Sequence, residues 1–231
     1  MDIDIRKDFN ISDRERACFI FGAGEFYGLK TETRRDDFII AADGGLKYAK
    51  GAGLRPDLIV GDFDSSKAPE NEGCDIMRLS SIKDLSDLSE ALSEGKDRGY
   101  SLFFVYGCTG GRPDHTYSAI QDAARLSKSG IRVYMFFKDY VLTAVTGGKI
   151  EFPKSFKGMV SVFAHSDICE GVRESGLKYI VADHVLKNDT PLGLSNEFTG
   201  LPASVSVGSG TLIVMFEMQG EQDGGDKVER L

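Results

Sequence analysis

DLIVGDFD, residues 57–64, decides the fold class: consecutive apolar residues with no polar alternation run straight into glycine and two aspartates. A strand apolar on both faces is buried on both faces, which points to a parallel sheet covered by helices. The same texture recurs at CFIFGAG (18–24), FIIAADGG (38–45), LFFVYGCTGG (102–111) and VYMFFKD (133–139). Between these runs Leu85, Leu88 and Leu92, and later Ala119, Ala123 and Leu126, recur at helical spacing and predict two amphipathic crossover helices. Beyond residue 140 the segments become short, alternating or β-branched and punctuated by glycine: LTAVTGG, GMVSVFAHS, GLKYIV, ASVSVGSG and TLIVMFE. That half reads as all-β, a small sandwich or barrel. The expected organisation is an α/β unit over 1–139, an all-β unit over 140–219 and a polar, disordered tail over 220–231.

The 231 residues include 28 Lys and Arg against 36 Asp and Glu, a net charge of −8. No broad cationic face advertises nucleic acid or an anionic membrane. Apolar stretches of about seven residues fall far short of the roughly 20 that a membrane helix needs. The acidic start MDIDIRKDF carries no apolar signal region, so a cytoplasmic location is expected. Cys18, Cys74, Cys108 and Cys169 form no CxxC pair and read as reduced thiols rather than a disulfide or zinc framework.

Four clusters fall at strand ends, where open α/β sheets bind their ligands. GAGEFYG, with Gly22, Gly24 and Gly28, nearly makes a dinucleotide fingerprint, with Asp43 about 20 residues on. Tyr27 stands where the third glycine is due, so the segment reads as a plain glycine-rich turn rather than a nicotinamide site. AADGG (41–45) joins PDLIVGDFDSS (56–66), in which Asp62 and Asp64 can aim two carboxylates into one crevice. Such a pair repels itself unless a cation intervenes, and magnesium takes one or two carboxylates alongside substrate phosphates. An ordinary acidic turn is the competing reading.

KDLSDL (83–88) opens a helix, with Asp84 expected at the N-cap and Asp87 three residues on. Capping alone would explain it; a carboxylate in that first turn would also stand beside the metal, and Lys83 could offset phosphate charge. In GCTGGRPDHT (107–116), Gly107, Gly110 and Gly111 let backbone amides approach an anion ahead of a helix N-terminus, and Arg112 adds a fixed charge. No GKS or GKT follows, so this is not a Walker A loop. His115 belongs to the same segment, whereas His165 and His184 read as structural or surface residues.

The ordered set AADGG, PDLIVGDFDSS, KDLSDL, GCTGGRPDH, GLKY (176–179) and GLSNE (193–197) resembles the thiamine pyrophosphokinase family over roughly residues 40–200. The resemblance implies a nucleotide-binding, Rossmann-like parallel-sheet domain followed by a β-sandwich. It also implies a homodimer with active sites at the subunit interface, and magnesium-dependent transfer of pyrophosphate from the co-substrate ATP to thiamine. Residue by residue, Asp62, Asp64 and Asp87 match the metal-binding acids, and Asp43, Gly44 and Gly45 match the nucleotide-side loop. Gly110, Gly111, Arg112, Asp114 and His115 match the segment that cradles ATP, and Ser195 and Asn196 the part that meets thiamine. Catalysis would rest on Asp62, Asp64, Asp87 and Arg112, with Lys83 near the phosphates and Asp84 as the candidate proton acceptor. Many members carry Thr at Ser86 and an aromatic at Pro113. Some stack a tryptophan on thiamine; this chain has no Trp, which leaves Phe198 or Tyr179 for that role.

Two other classes fit parts of the sequence. A haloacid-dehalogenase-like phosphatase would use Asp62 as nucleophile, but leaves GGRPDH and the β-rich half without a task. A non-catalytic nucleotide or thiamine sensor is the other, and it has no need of the full set of acids kept here.

Overall fold

In the computed structural model, which describes residues 4–63, 73–80 and 84–218, the doubly apolar runs become adjacent parallel strands. They are β1 (Cys18–Phe21), β2 (Phe38–Ala42), β3 (Leu58–Gly61), β5 (Leu102–Tyr106) and β6 (Arg132–Phe136), joined at the edge by β4 (Asp75–Arg78), which no apolar run marked. The second half adds β7 (Tyr140–Thr146), β8 (Lys149–Phe152), β9 (Met159–Ala164), β10 (Ile168–Ser175), β11 (Val181–Lys187), β12 (Asn196–Glu197), β13 (Ala203–Ser206) and β14 (Thr211–Glu217). The helices are α1 (Ile5–Asp8), α2 (Leu46–Gly51), α3 (Asp87–Asp97) and α4 (Pro113–Ser127).

One ten-stranded sheet runs β12-β9-β14-β7-β6-β5-β1-β2-β3-β4, and a separate four-stranded sheet runs β11-β10-β13-β8. The steps from β4 through β1 to β6 are parallel, and those from β6 to β12 are antiparallel. A mixed α/β sheet and a second, antiparallel sheet are therefore present. The difference from the expectation lies in their sharing. β7 turns back beside β6, with Phe136 opposite Val141, so four strands of the second half extend the sheet of the first. GLKYIV, read as a strand, instead links β10 to β11 and becomes extended only from Val181.

Strand alternation assigns a core to each face. Cys18, Ile20, Ile40, Val60, Phe103 and Val105 meet Ala91 and Leu92 of α3 and Ala119, Ala123 and Leu126 of α4. On the other face Phe19, Phe21, Phe104, Tyr106 and Phe136 continue into Phe152, Val172, Val205, Val214 and Phe216, so that the four-stranded sheet closes this core. Tyr106 stacks on Phe136 with ring centroids 4.4 Å apart. α1 is tied down by a fully buried pair, Arg6 Nη2 to Asp37 Oδ1 at 2.5 Å, with the guanidinium over the rings of Phe19 and Phe104.

Candidate functional site

Strand order reverses between β1 and β5: β2, β3 and β4 build outward on one side and β6 on the other. At such a reversal the loops leaving the carboxyl ends diverge and open a crevice. A cavity of about 300 Å³ lies there, walled by the loops after β1, β2 and β5 and by the start of α3. Asp43, Asp87, Gly110, Gly111, Arg112 and His115 line it.

The glycine-rich loops owe their composition first to each other. Gly22 N–H donates to Tyr106 O at 2.8 Å, Gly24 N–H to Gly107 O at 2.8 Å and Glu25 N–H to Thr109 O at 2.7 Å. A Cβ on Gly24 would stand 2.4 Å from the Thr109 carbonyl oxygen. The near-fingerprint at 22–28 is thus a backbone-to-backbone clamp, which the plain glycine-turn reading covers. Gly45 is tighter still, since a Cβ there would sit 1.8 Å from Phe21 O. That contact seats the 3-10 turn Asp43–Gly45 against β1 and sends Asp43, with φ at +47°, into the cavity wall. A non-glycine residue in the left-handed region is uncommon, and such strain gathers at functional sites.

Asp62 follows β3, the neighbour of β2, and is half-buried. A Cβ on Gly61, just before it, would stand 3.5 Å from the Cα of Asp43. Asp87 arrives from α3, which packs across β1, β2 and β3. The cap of α3 differs from the expectation: Ser86 is the N-cap, its Oγ accepting from Ser89 N–H at 3.1 Å. Asp87 is the first helical residue, and Asp84 lies exposed two residues ahead of the cap. An extended serine directly before the helix reaches the orphan amide that a longer-range aspartate was expected to satisfy. Below it Ser86 Oγ meets Ser89 Oγ at 2.9 Å, and the buried Asp122 accepts from Ser89 Oγ at 2.5 Å, tying α3 to α4.

Arg112 lines the cavity, with its side chain exposed and folded onto Asp114: Nη2 to Oδ2 is 2.5 Å and Nε to Oδ1 is 3.2 Å. Arg112's hydrogen bonds hold the Asp114 carboxyl below the usual carboxylate range, and Asp114 in turn pushes the Arg112 guanidinium up. Asp114 is therefore a partner of Arg112 and not part of the cavity wall, and Gly44 also stays out of the lining. Asp64 and Lys83 lie outside the described residues. Among the described residues no three acidic, histidine or cysteine side chains gather closely enough to hold a metal ion. Sequence reading did not assign Ala23, Ala42, Ser86, Leu88 or Cys108 to this lining; of these Cys108 carries a thiol, which burial pushes up to about 12. It stays protonated and offers no thiolate nucleophile at neutral pH.

A second cavity, of about 320 Å³, lies in the β-rich half; Glu174, Tyr179, Ile180, His184, Leu192 and Asn196 are among its lining residues. Asn196 is saturated: Nδ2 donates to Glu174 Oε2 and to Tyr179 O, both at 2.8 Å, while Oδ1 accepts from Tyr179 N–H at 3.0 Å and Glu197 N–H at 2.9 Å. It shapes the wall. Ser195, with φ at +62°, donates its N–H to Ser161 Oγ at 3.0 Å and does not line the cavity. Of the two aromatics considered, Phe198 is buried against Phe152 and Phe156, whereas Tyr179 is 62% exposed at the cavity.

Comparison with known proteins follows these two halves. Residues 29–135 match the family model "Thiamin pyrophosphokinase, catalytic domain", and residues 148–212 match "Thiamin pyrophosphokinase, vitamin B1 binding domain". The chain is 25% identical over 182 residues to a Bacillus subtilis protein named thiamine pyrophosphokinase, covering 76% of this chain and 85% of that one. A thiamine pyrophosphokinase crystal structure from Bacillus subtilis superposes with a TM-score of 0.78 at 23% identity, over 89% of this chain and all of that one. The yeast thiamin pyrophosphokinase structure does so with a TM-score of 0.70 at 15% identity, over 94% and 90%. Each half of the chain, with its own cavity, matches a separate model of one family, and the chain belongs to the thiamin pyrophosphokinase family.

Proposed function

We propose that this chain is a thiamine diphosphokinase that transfers pyrophosphate from ATP to thiamine, giving thiamine diphosphate and AMP. The observation that carries the reading is the pairing of a phosphate-type crevice with a half-apolar cavity in the two segments that match the catalytic and vitamin B1 binding models. The first, over 1–139, takes ATP at the switch point of a Rossmann-like sheet; the second, over 140–219, takes thiamine.

The donor set at the first cavity suits magnesium. Asp43 and Asp87 border it and Asp62 leaves the adjoining strand, all hard oxygen ligands of the kind magnesium prefers. We assign the ion to Asp62, Asp64 and Asp87; when bound, it neutralises charge on the phosphate oxygens. The chain's own groups do the rest. Asp43, Gly44 and Gly45 position the nucleotide. The amides around Gly110 and Gly111, at the start of α4, face the phosphates, with His115 beside them. Arg112 exchanges Asp114 for the phosphates as negative charge develops, and Lys83 assists. The hydroxyethyl oxygen of thiamine forms a bond to the β-phosphorus, the bond between the β-phosphorus and the α–β bridging oxygen breaks, and AMP leaves carrying that bridging oxygen. Asp84, since Ser86 caps α3, is assigned as the acceptor of the hydroxyl proton. Alignment and charge neutralisation carry the step, with no covalent enzyme intermediate.

Ile180, Leu192 and Leu194 around the second cavity are 75, 64 and 63% exposed. Exposed apolar residues grouped around a cavity mark a contact surface, and we assign them to a homodimer with its active sites at the subunit interface. No helix among the described residues is long and apolar enough to cross a membrane, and we place the protein in the cytoplasm. The deciding assay measures AMP and thiamine diphosphate with ATP, thiamine and magnesium present, then with each omitted. AMP appearing only when all three are supplied supports the reading. Inorganic phosphate released without thiamine, with a covalent phosphate trapped on Asp62, would replace it with the phosphatase; binding without product would leave a sensor.

A further inference from the structure

We propose that Glu174 is the residue by which this chain selects an electropositive ring in its second cavity, a specificity role that rests on the thiamine reading above. On β10, Val172 and Glu174 turn inward while Arg173 and Ser175 face out. Glu174 is only 3% exposed, on the interior face of a small sheet, yet it lines the cavity. Its strand neighbours are Val205 on β13 and Val181 on β11, neither of which can pair with a carboxylate. Among the described residues its one hydrogen bond runs from Asn196 Nδ2 to Oε2 at 2.8 Å. Asn196 is itself held by Tyr179 and Glu197, so the carboxylate is fixed in orientation by a neutral group.

A buried carboxylate with no cation beside it is unfavourable, and burial does raise the proton affinity of Glu174. A ligand that brings positive potential reverses that penalty, because an opposite charge within about 4–6 Å favours the ionised form. The rest of the cavity fits such a ligand. Ile180, Leu186 and Leu192 supply apolar walls and Tyr179 an exposed ring to stack on. A neutral apolar ring would gain the same walls but leave the carboxylate uncompensated, so the discrimination belongs to Glu174 rather than to the cavity's shape.

Thiamine carries two electropositive features, the charged thiazolium and the exocyclic amine of its pyrimidine. Steady-state kinetics should therefore compare thiamine with a neutral isostere whose ring nitrogen is replaced by carbon, and with an analogue lacking the amine. Wild type is expected to disfavour at least one of these by about tenfold or more in kcat/KM. Glu174→Gln should erase that preference through a higher KM for thiamine, leaving kcat and the KM for ATP in place, and Glu174→Asp should restore part of it. A Glu174→Gln enzyme that discriminates as wild type does, or a wild type indifferent to both analogues, overturns the assignment. Should Glu174→Gln fail to fold, Glu174→Leu carries the same comparison, its apolar side chain being suited to the interior face. If wild type forms no AMP with thiamine, the enzymatic reading fails on its own. Equilibrium titration of the three compounds against wild type and Glu174→Gln then still decides whether Glu174 selects the ring.

Discussion

The two cavities are built from different material. The first is framed by main chain: loop-to-loop hydrogen bonds, a 3-10 turn pressed under β1 and a helix start, to which Asp43, Asp87, Arg112 and His115 add their side chains. The second is walled by side chains from the β10–β11 link, β11 and the segment before β12, held in place by Asn196. A polyphosphate has the same shape in every nucleotide and is suitably met by fixed amides; a substituted heterocycle needs walls that can be tuned residue by residue.

If that contrast is right, adding one methyl group to the first wall should do the most damage. Gly45→Ala places Cβ against Phe21 O and is expected to destabilise the fold by about 4 kcal/mol or more; a denaturant midpoint close to wild type would show the turn is not pinned by that contact. Next comes Asp87→Asn, where the backbone is untouched and only charge is lost. Turnover should fall by about 10²–10³-fold with an unchanged melting temperature, a loss of transition-state stabilisation of about 3–4 kcal/mol. An Asp87→Asn enzyme near wild-type rate would remove it from the ion-binding set. In the second wall Asn196→Ala should cost about 2–3 kcal/mol in unfolding free energy, because Glu174 and the Tyr179 amide lose a partner. The KM for ATP should stay put; if it rises with the KM for thiamine, the walls are not independent.

The smallest effect is one of pH. Burial holds the Glu174 carboxyl above its ordinary 4.5, so the folded chain binds that proton more tightly than the unfolded chain. Its favourable contribution is complete below about pH 4.5 and is lost as pH rises through the folded value. Glutamine does not titrate. Glu174→Gln should therefore gain stability relative to wild type between pH 4 and pH 7, as read by urea unfolding at each; equal differences at both ends would mean the carboxyl does not feel its burial.

The same contrast explains what the sequence disclosed. β1, β2, β3, β5 and β6 announced themselves through doubly apolar runs, and α3 and α4 through helical spacing, because burial on two faces or one stripe leaves a composition signature. β4, Asp75–Arg78, did not: it is a mostly exposed edge strand with a charge at each end. The shared sheet could have been suspected from Phe137, Lys138 and Asp139, since so short a link between two apolar runs brings the second back antiparallel beside the first. At the first cavity the motifs named Asp43, Asp87, Arg112 and His115, and all four line it. They missed Ser86 as the cap, since SDL and DLS offer several side chains able to bond the same amides. Glu174 escaped notice because charge on a short β segment reads as solvent-facing. Its phase with Val172 was the available signal, masked by the register shifts at β10.

The hydrogen bonds between β6 and β7 also bear on how the protein can be handled. Severing the chain near Asp139 would strip both pieces of a neighbour and bare two rows of unpaired amides and carbonyls on apolar strands. Such raw edges invite promiscuous pairing with any extended chain they meet. Truncated fragments should therefore precipitate when expressed alone and regain solubility when produced together.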